Sequence, residues 1–525
     1  MSNEEPIDLI FQVENLPKDA FNGTRIVVLG SSSSETFYHT SDVEIGRTEK
    51  RYELDQVVFN EKIRVMFKFD APQIIKVHMC VYEPDSDEVS WTTGEATISV
   101  FHIFRQNGTF KTILTFPGYS LNTAPILTVQ AQVSEPLKPC TFFQFVGHSL
   151  LSRNSYPIRP YYSLWLVPKT GGLPILLYRS EVLDTKSPKW KGFTLPNKLF
   201  GTSSDGILKV TCHNMNSNHA DTDIGSFSTT FYQLLKGSGP MNKYILHYNS
   251  YEKKKEEMSM ELVAIRRAES AISIPSIIAS GVQLHMTIAI DFTTHNGSPS
   301  DASSLHATHP MSQSIYGKRL SKIAHDLKNL GLKASILGFG AKIPNPYSKN
   351  LELSQCFALN DNILNPFCES IEEIDALYKR RVINSLFYAP TNFASIIANV
   401  RKQAIAAERA NKPIYFVLMI MTRGHVSDAN SFKDSLEELT KCSKYPISIV
   451  FVGVGNESHP IKIDPDTMFV KFLEQKGKTS DNVVQDREVA SFIDTTSDSV
   501  IPTLTTQIFS NVARQMILYN FKNLH

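Results

Sequence analysis

The first half of the chain alternates apolar and polar residues over short runs. In one such run, Val77, Met79 and Val81 are separated by His78 and Cys80. A period of two places successive side chains on opposite faces of a strand, so this pattern predicts a half-buried strand. Clusters of Gly, Pro, Asn and Ser separate similar runs at residues 26–29, 63–69, 126–133, 163–167, 173–178 and 207–212. Many short strands with turn signals between them predict antiparallel β-sandwiches, with no long helix before about residue 270.

The pattern changes in the second half, where the apolar runs become continuous. Continuous runs predict strands buried on both faces, as in a parallel sheet, and they lie at residues 282–292, 334–339, 415–421 and 447–454. Apolar residues at three- and four-residue spacing predict helices at residues 316–330, 393–404 and 432–439. Strands that alternate with helices predict a doubly wound α/β domain, which binds ligands at the carboxyl ends of its strands.

The length of the chain suggests how these patterns divide into domains. At 525 residues the chain is too long for one hydrophobic core, and roughly 150 residues per domain gives three or four domains. We predict three. Two sandwiches occupy residues 1–135 and 136–270, and the α/β domain occupies residues 271–525.

Composition excludes several classes of function. The formal net charge is +1, so no global excess of positive charge indicates a nucleic-acid partner. No apolar run approaches the ~20 residues needed to span a bilayer. The first residues lack the basic start and apolar core of a signal peptide, so we expect a cytoplasmic protein. Six cysteines without C-x-x-C spacing are expected to be free thiols.

Two short motifs could suggest an enzyme or a zinc site. Residues 147–151 (GHSLL) begin like the nucleophile elbow of α/β-hydrolases, but the closing Gly is missing and the segment lies in an all-β region. His306 and His309 have the spacing of a metal-binding pair, but no third ligand accompanies them, so we expect a surface pair. We therefore expect no enzymatic activity.

Four phrases in the second half together resemble the copine family. They occur in the order and approximate spacing of copines, at residues 289–299 (AIDFTTHNGSP), 337–342 (LGFGAK), 388–394 (YAPTNFA) and 452–455 (VGVG). The first phrase resembles the copine version of a metal-ion-dependent adhesion site. Upstream, residues 179–191 and 223–227 resemble the second C2 domain of a copine. Residues 46–49 and 81–85 resemble the first C2 domain less closely.

This resemblance implies a fold and a function. Copines have two C2 domains followed by a von Willebrand A-type domain. They are non-enzymatic adaptors that bind acidic phospholipid membranes in response to calcium and hold protein partners through the A-type domain. We therefore expect a peripheral protein at the plasma membrane or other cytosolic membrane faces. The alternative is a calcium-independent cytosolic scaffold that has lost its metal chemistry.

The resemblance also implies where calcium would bind in the first C2 domain. Glu83 and Asp85 match the acids of the third loop, and Asp19 is the first-loop candidate. A second first-loop aspartate is replaced near residues 22–24. Because Ca²⁺ takes six to eight oxygen ligands, the reduced set leaves two interpretations open: a partial Ca²⁺ site and a solvated acidic loop.

The second C2 domain departs further from the calcium-binding pattern. Arg159 stands within the first-loop Ser-Asp-Pro phrase of the family, and Asn214 and Asn216 stand where it has paired aspartates. Asp221 and Asp223 remain as weak candidates. Asn cannot offset the charge of the cation and Arg159 repels it, so we predict a calcium-silent loop. Any calcium response is predicted to reside in the first C2 domain.

Basic residues of the second C2 domain offer another route to a membrane. Each basic side chain near an anionic leaflet contributes ~1 kcal/mol. The candidate lipid-facing residues are Arg179, Lys186, Lys189 and Lys191. A solvated basic surface is the alternative interpretation.

The adhesion-type site retains part of the family's Mg²⁺ ligand set. Asp291, Thr293 and Thr391 match three ligand positions. His295 replaces a Ser of the family, and Arg423 replaces the Asp that follows a central strand. We therefore expect no Mg²⁺ at this site, and we predict that Arg423 pairs with Asp291 in place of the metal.

Overall fold

The alternating runs of the first half form four antiparallel sheets. The protein is described by a computed structural model over residues 4–16, 23–31, 42–53, 55–71, 73–82, 89–115, 124–135, 137–152, 157–168, 174–200, 206–216, 221–247, 257–308, 314–344, 350–368, 370–424, 426, 428–461, 485 and 487–523. The sheets pack in pairs, and each pair shares one hydrophobic core. The two pairs are the predicted β-sandwiches, which are called here the first sandwich (residues 4–133) and the second sandwich (residues 138–270).

The first sandwich shows how alternation produces burial. In the strand Glu4–Glu14, every second side chain is buried, including Ile7, Leu9, Phe11 and Val13. One sheet contains Glu4–Glu14, Gln56–Val58, Ile63–Lys68, Thr109–Ile113 and Ile126–Val133; the other contains Thr24–Ser31, Asp42–Arg47, Ile74–Tyr82 and Val89–Ser99.

The second sandwich is built in the same way around an aromatic core. Trp190 and Tyr162 are fully buried, with ring centroids 4.8 Å apart. One sheet contains Lys138–His148, Phe193–Pro196, Lys243–Ile245 and Ser259–Ser270; the other contains Pro160–Pro168, Ile175–Arg179, Gly206–Asn214 and Thr222–Thr229. The helices of the two sandwiches are short. Val100–Arg105 buries four of its six side chains in the first, and Phe231–Leu234 is a single turn in the second.

The continuous apolar runs of the second half form one mainly parallel sheet. Its five parallel strands, in spatial order, are Ala334–Phe339, Gln283–Asp291, Ile414–Thr422, Ile447–Gly453 and Ala490–Asp494. Two short strands, Phe357–Ala358 and Phe367–Cys368, pair antiparallel with the edge. The order reverses between the strands that end at Asp291 and Thr422, and in open α/β sheets such a reversal forms the crevice for a ligand.

Helices cover both faces of this sheet, because its side chains are buried on both sides. On one face, Ile288 and Met419 share a core with the helices Ile315–Asn329 and Leu504–Lys522. On the other, Ala289 and Leu418 share a core with the helices Ala394–Arg409 and Ala429–Cys442. The sequence patterns did not predict the strand Ala490–Asp494, the C-terminal helix Leu504–Lys522 or the helices Ile274–Ala279 and Ile371–Asn384.

A small antiparallel sheet lies next to the carboxyl edge of the parallel sheet. Its strands are Ala341–Pro344, Leu351–Ser354 and Leu386–Phe387. The backbone of Thr294 donates to the carbonyl of Tyr388, which follows this sheet. The chain segment that carries Thr391 is thereby brought to the loop that follows Asp291.

Both sandwiches contact the α/β region (residues 283–522). The rings of Phe69 in the first sandwich and Phe509 in the C-terminal helix lie 5.2 Å apart in an edge-on arrangement. Leu518 of the same helix belongs to the core of the second sandwich. Within the part of the chain that the structure describes, no helix combines the length and apolar character needed to cross a membrane.

Candidate functional site

Asp291 lies at the carboxyl end of its strand, next to the end of the neighbouring strand that carries Thr422. These strands are paired in parallel register, with Ile290 opposite Met421. The carboxylate of Asp291 is fully buried. One of its oxygens accepts from the hydroxyl of Thr422 at 2.6 Å, and the other accepts from the backbone N–H of Thr293 at 2.9 Å. Burial raises the pKa of Asp291 above its usual value, and these hydrogen bonds oppose the rise.

The two other retained positions of the adhesion motif lie in the same cluster. Thr293 and Thr391 are fully buried, and the hydroxyl of Thr391 donates to the hydroxyl of Thr293 over 3.3 Å. Asn296 donates its side-chain amide to the backbone carbonyls of Asp291 and Thr293, both at 3.1 Å, and so holds the loop in place. The structure therefore brings together Asp291, Thr293 and Thr391, as the sequence motif implied.

The predicted pairing of Arg423 with Asp291 is wrong. The guanidinium of Arg423 donates from Nε to the carbonyl of Pro460 at 2.8 Å and from Nη1 to the carbonyl of His295. The carboxylate of Asp291 is already satisfied by Thr422 and Thr293, so no acceptor requires the guanidinium there. Arg423 and His295 are neighbours, as expected, but the histidine contributes its backbone carbonyl to the contact.

The residues at this site do not suit Mg²⁺. The ion requires near-octahedral oxygen ligands and is usually held by one or two carboxylates. Among the described residues of the cluster, Asp291 supplies the one carboxylate, and both of its oxygens accept hydrogen bonds from protein donors. Where a second carboxylate would follow the strand, the guanidinium of Arg423 adds positive charge.

His306 lies behind this cluster and is fully buried, so the expectation of a surface histidine pair is wrong. Its Nε2 lies 2.8 Å from the backbone carbonyl of Asp291, and its Nδ1 lies 2.9 Å from the hydroxyl of Tyr378. Burial lowers the pKa of His306 to about 3, so the ring is neutral at physiological pH. A carbonyl can only accept, so Nε2 carries the proton and Nδ1 accepts from Tyr378. His309 lies outside the described residues.

The calcium candidates of the second sandwich already interact with other protein groups. The side-chain oxygen of Asn214 accepts from the backbone N–H of Arg159 at 2.5 Å. Asp221 accepts from the hydroxyl of Tyr161 at 2.9 Å and from the backbone N–H of Asn216 at 2.9 Å. A carboxylate oxygen of Asp223 lies 2.7 Å from Nδ1 of His213. A calcium ion would compete with these protein donors, so the arrangement does not suit a Ca²⁺ site.

The first-sandwich calcium candidates Asp19, Glu83 and Asp85 lie outside the described residues. Their positions therefore remain predictions from the family resemblance.

Three of the four predicted lipid-facing residues are on the surface. Lys186, Lys189 and Lys191 are exposed in the segment between the strands Ile175–Arg179 and Phe193–Pro196. The prediction for Arg179 is wrong, because its side chain is buried. Its Nε donates to the hydroxyl of Ser163 at 2.8 Å, and its guanidinium lies 5.4 Å from the centre of the Tyr161 ring.

The segment that begins like a nucleophile elbow has a different setting from that motif. Gly147 and His148 end the strand Lys138–His148, which belongs to an antiparallel sheet of the second sandwich. His148 Nε2 lies 2.8 Å from a carboxylate oxygen of Glu261 on the adjacent strand. A nucleophile elbow joins a strand to a helix, and this segment does not.

Two residues that complete the Asp291 cluster, Thr422 and His306, were not predicted to belong to it. Thr422 was visible as the residue after a buried apolar run, a position that faces the carboxyl edge of the sheet. His306 was expected on the surface together with His309, but its buried ring stacks on Tyr316, with the ring centroids 4.0 Å apart.

The match to a family model agrees with the sequence motifs of the second half. Residues 304–521 match the family model described as Copine. The solved structure of BON1-C2B is 20% identical and covers 25% of this chain and 92% of its own, with a TM-score of 0.22. A calcium-bound structure of two C2 domains of Extended-Synaptotagmin 2 is 12% identical and covers 51% of this chain and 98% of its own, with a TM-score of 0.19.

A third solved structure is similar over a different share of the chain. The manganese-loaded TRAP protein of Plasmodium vivax is 11% identical and covers 42% of this chain and 72% of its own, with a TM-score of 0.25. The family assignment is based on the match at residues 304–521. The chain contains a copine domain at residues 304–521, and its resemblance to the copine family is confirmed.

Proposed function

We propose that this protein is a peripheral membrane adaptor of the copine type. Its two sandwiches act as C2 domains that bind acidic phospholipid at the plasma membrane or another cytosolic membrane face. Its α/β region acts as a von Willebrand A-type domain that holds a protein partner. The proposed membrane binding is supported by three exposed lysines of the second sandwich, Lys186, Lys189 and Lys191.

The second sandwich binds the membrane without calcium in this proposal. The side-chain oxygens of Asn214 and Asp221 accept hydrogen bonds from Arg159, Tyr161 and Asn216. Electrostatic attraction between lysines and an anionic leaflet needs no bridging ion. The first sandwich supplies the calcium response, through Asp19, Glu83 and Asp85.

The α/β region holds its partner without Mg²⁺ in this proposal. The cluster around Asp291 lies at the point where the strand order reverses, which is the usual ligand crevice of such sheets. Arg423 places a guanidinium beside this crevice, and a guanidinium binds carboxylates directly through charge-assisted hydrogen bonds. An acidic side chain of the partner would therefore contact Arg423 in the absence of a bridging ion. No catalytic group is assigned to the cluster, and we propose that the protein is not an enzyme.

A second candidate function is a calcium-independent cytosolic scaffold. One observation favours it. The carboxylates of Asp221 and Asp223 in the second sandwich, and of Asp291 in the α/β region, already contact protein groups at hydrogen-bond distance, where a metal ion would otherwise bind. Under this alternative, the protein associates with other proteins and does not move to membranes when calcium rises.

Sedimentation with liposomes distinguishes the two candidates. The full chain would be mixed with vesicles of neutral lipid, or neutral lipid plus phosphatidylserine, in calcium or in a chelator. The adaptor is expected to sediment with acidic vesicles and to do so more strongly in calcium. A protein that stays in the supernatant under all four conditions would be the scaffold.

Metal binding at the α/β region is tested separately. The full chain would be treated with a chelator and then titrated with MgCl₂ or MnCl₂ by isothermal calorimetry. We expect the parent chain and Asp291→Asn to bind these ions equally, because no ion binds at Asp291. Micromolar binding that disappears in this variant would refute the metal-free interpretation.

A further inference from the structure

A basic cavity lies between the second sandwich and the α/β region. It has a volume of about 500 Å³, within the range of small-molecule sites. One wall consists of residues 177–181 and 191–195 of the second sandwich. The opposite wall includes Lys444, Arg487 and the end of the C-terminal helix. We refer to this space as the basic cavity.

Among the described residues that line the basic cavity, basic side chains outnumber acidic ones. Glu181 is the one acidic side chain in this described set, and it already accepts a hydrogen bond from the backbone N–H of Lys191 at 2.7 Å. Apolar walls around charges of one sign concentrate the field inside a cleft and attract ions of opposite charge. The basic residues in this described set are Arg179, Lys191, Lys444, Arg487 and Lys522.

Arg487 is the most informative of these residues. Its side chain is 1% exposed, and its guanidinium donates to the backbone carbonyls of Ser443, Glu488, Tyr445 and Ile447. These acceptors are neutral. The nearby carboxylate of Glu488 is paired with Arg514, at 2.7 Å from Nη2. Among the described residues, no carboxylate pairs with Arg487, although buried charges are normally paired.

Two other features limit what the cavity can hold. Leu177, Phe193, Leu518 and Phe521 give it apolar walls, which suit the carbon face of a compact ring. The three lysines carry exposed side chains and come from both sides of the cavity: Lys191 from the sandwich, and Lys444 and Lys522 from the α/β region. A ligand with one negative charge would meet only one side, whereas a ligand with several charges would contact both.

We propose that the basic cavity binds a compact ring that carries several phosphate groups. Such a ligand is either a soluble inositol polyphosphate or the headgroup of a phosphoinositide lipid. The phosphates contact lysines of the second sandwich and of the α/β region at the same time. Binding therefore fixes one against the other, which goes beyond the general attraction of a basic surface to an acidic membrane.

Calorimetry with the full chain tests the proposal, with inositol hexakisphosphate as the soluble probe. We expect one molecule bound per chain and a higher thermal midpoint, because a ligand that binds only the folded state stabilises it. The double charge reversal Lys444→Glu/Lys522→Glu is expected to weaken binding at least tenfold. Both positions are exposed, so the variant should fold, and circular dichroism checks this.

The matched control is Lys328→Glu/Lys402→Glu. These lysines are exposed in the same α/β region and do not line the basic cavity. The control changes the net charge by the same amount, so it is expected to bind the probe like the parent chain. Equal weakening in both variants would show non-specific attraction and overturn the proposal.

A vesicle arm distinguishes the two sources of the ligand. Neutral vesicles with 5% phosphatidylinositol bisphosphate would be sedimented with each variant, in a chelator. Binding of the soluble probe with the expected variant pattern supports a free polyphosphate. Binding to the vesicles alone, with the same pattern, supports a lipid headgroup. If the parent chain binds neither, the proposal is overturned, while binding to phosphatidylserine vesicles would still support the membrane adaptor.

Discussion

The hydroxyl of Thr422 donates to the buried carboxylate of Asp291 at 2.6 Å and so joins the carboxyl ends of two adjacent parallel strands. The same hydroxyl accepts from the backbone N–H of Gly424 at 2.8 Å. Thr422 therefore performs two tasks: it satisfies the carboxylate, and it fixes the turn that carries Arg423 away from it.

This relationship predicts the effect of removing the hydroxyl. Thr422→Val is expected to lower the free energy of unfolding by about 1–3 kcal/mol, the cost of leaving a buried acceptor without its donor. Urea denaturation followed by ellipticity at 222 nm measures it, because the long helices lie in the α/β region. Thr422→Ser keeps the hydroxyl and is the control. Equal losses in both variants would show that the methyl group matters more than the hydrogen bond.

The titration of Asp291 predicts a pH dependence of stability. Burial raises its pKa above the usual value of 3.8, so the folded chain holds the proton more tightly than the unfolded chain. Lowering the pH from 7 towards 4 should therefore stabilise the parent chain relative to Asp291→Asn, which cannot take up this proton. Urea midpoints of both proteins at several pH values measure the difference. A difference that stays constant across this range would contradict the prediction.

The titration of His306 is expected to have the opposite effect, so that lowering the pH destabilises the folded chain. Its pKa is lowered from 6.5 to about 3, so the unfolded chain takes up a proton as the pH falls below 6.5 while the folded ring stays neutral. Its contribution to stability is complete above pH 6.5 and decreases towards pH 3, by up to about 1.4 kcal/mol per pH unit. His306→Gln retains a donor for Asp291 and an acceptor for Tyr378, and should show a weaker acid sensitivity. An unchanged pH profile in this variant would show that other groups cause the loss.

The exposed lysines predict a salt-sensitive membrane affinity. Lys186→Ala/Lys189→Ala removes two positive charges worth ~1 kcal/mol each, so binding to phosphatidylserine vesicles in a chelator should weaken about 30-fold. The difference should shrink at high ionic strength, because salt screens exposed charges. Lys328→Ala/Lys402→Ala is the control. If both variants bind alike, the surface of the second sandwich does not contact the membrane.

We predict that the calcium response resides in the first sandwich and not in the second. Glu83→Gln/Asp85→Asn is expected to abolish the calcium-induced increase in vesicle sedimentation. Asp221→Asn/Asp223→Asn should leave it intact, because Asp221 and Asp223 already interact with Tyr161 and His213. The reverse result would place the calcium response in the second sandwich.

The local pattern of the sequence was sufficient for most of the fold. The strand Ala334–Phe339 has the predicted bounds, because all six of its residues are apolar or small and all are buried. The helix Ile315–Asn329 also follows from its apolar spacing, and it ends before Gly331, whose φ of 67° suits a glycine after a helix. Both features depend on residues that are neighbours in the chain.

The C-terminal helix Leu504–Lys522 was missed for an identifiable reason. Its buried residues are spread around the helix, because it packs against the parallel sheet, against Phe69 of the first sandwich and in the core of the second sandwich. No single apolar stripe therefore appears in the sequence. No apolar pattern in the sequence indicates the strand Ala490–Asp494 either. This strand is defined by its pairing with Ile447–Gly453.

The sequence by itself placed Asp291, Thr293, Thr391 and Arg423 at one edge of the sheet, because each follows a recognisable element or motif. Only the tertiary structure decided which of them interact. Arg423 donates to the carbonyls of His295, 128 residues away in the chain, and Pro460, 37 residues away. A charge pair inferred from sequence considers two side chains alone, whereas in the folded protein each buried group binds whichever donor or acceptor the backbone brings within hydrogen-bond distance.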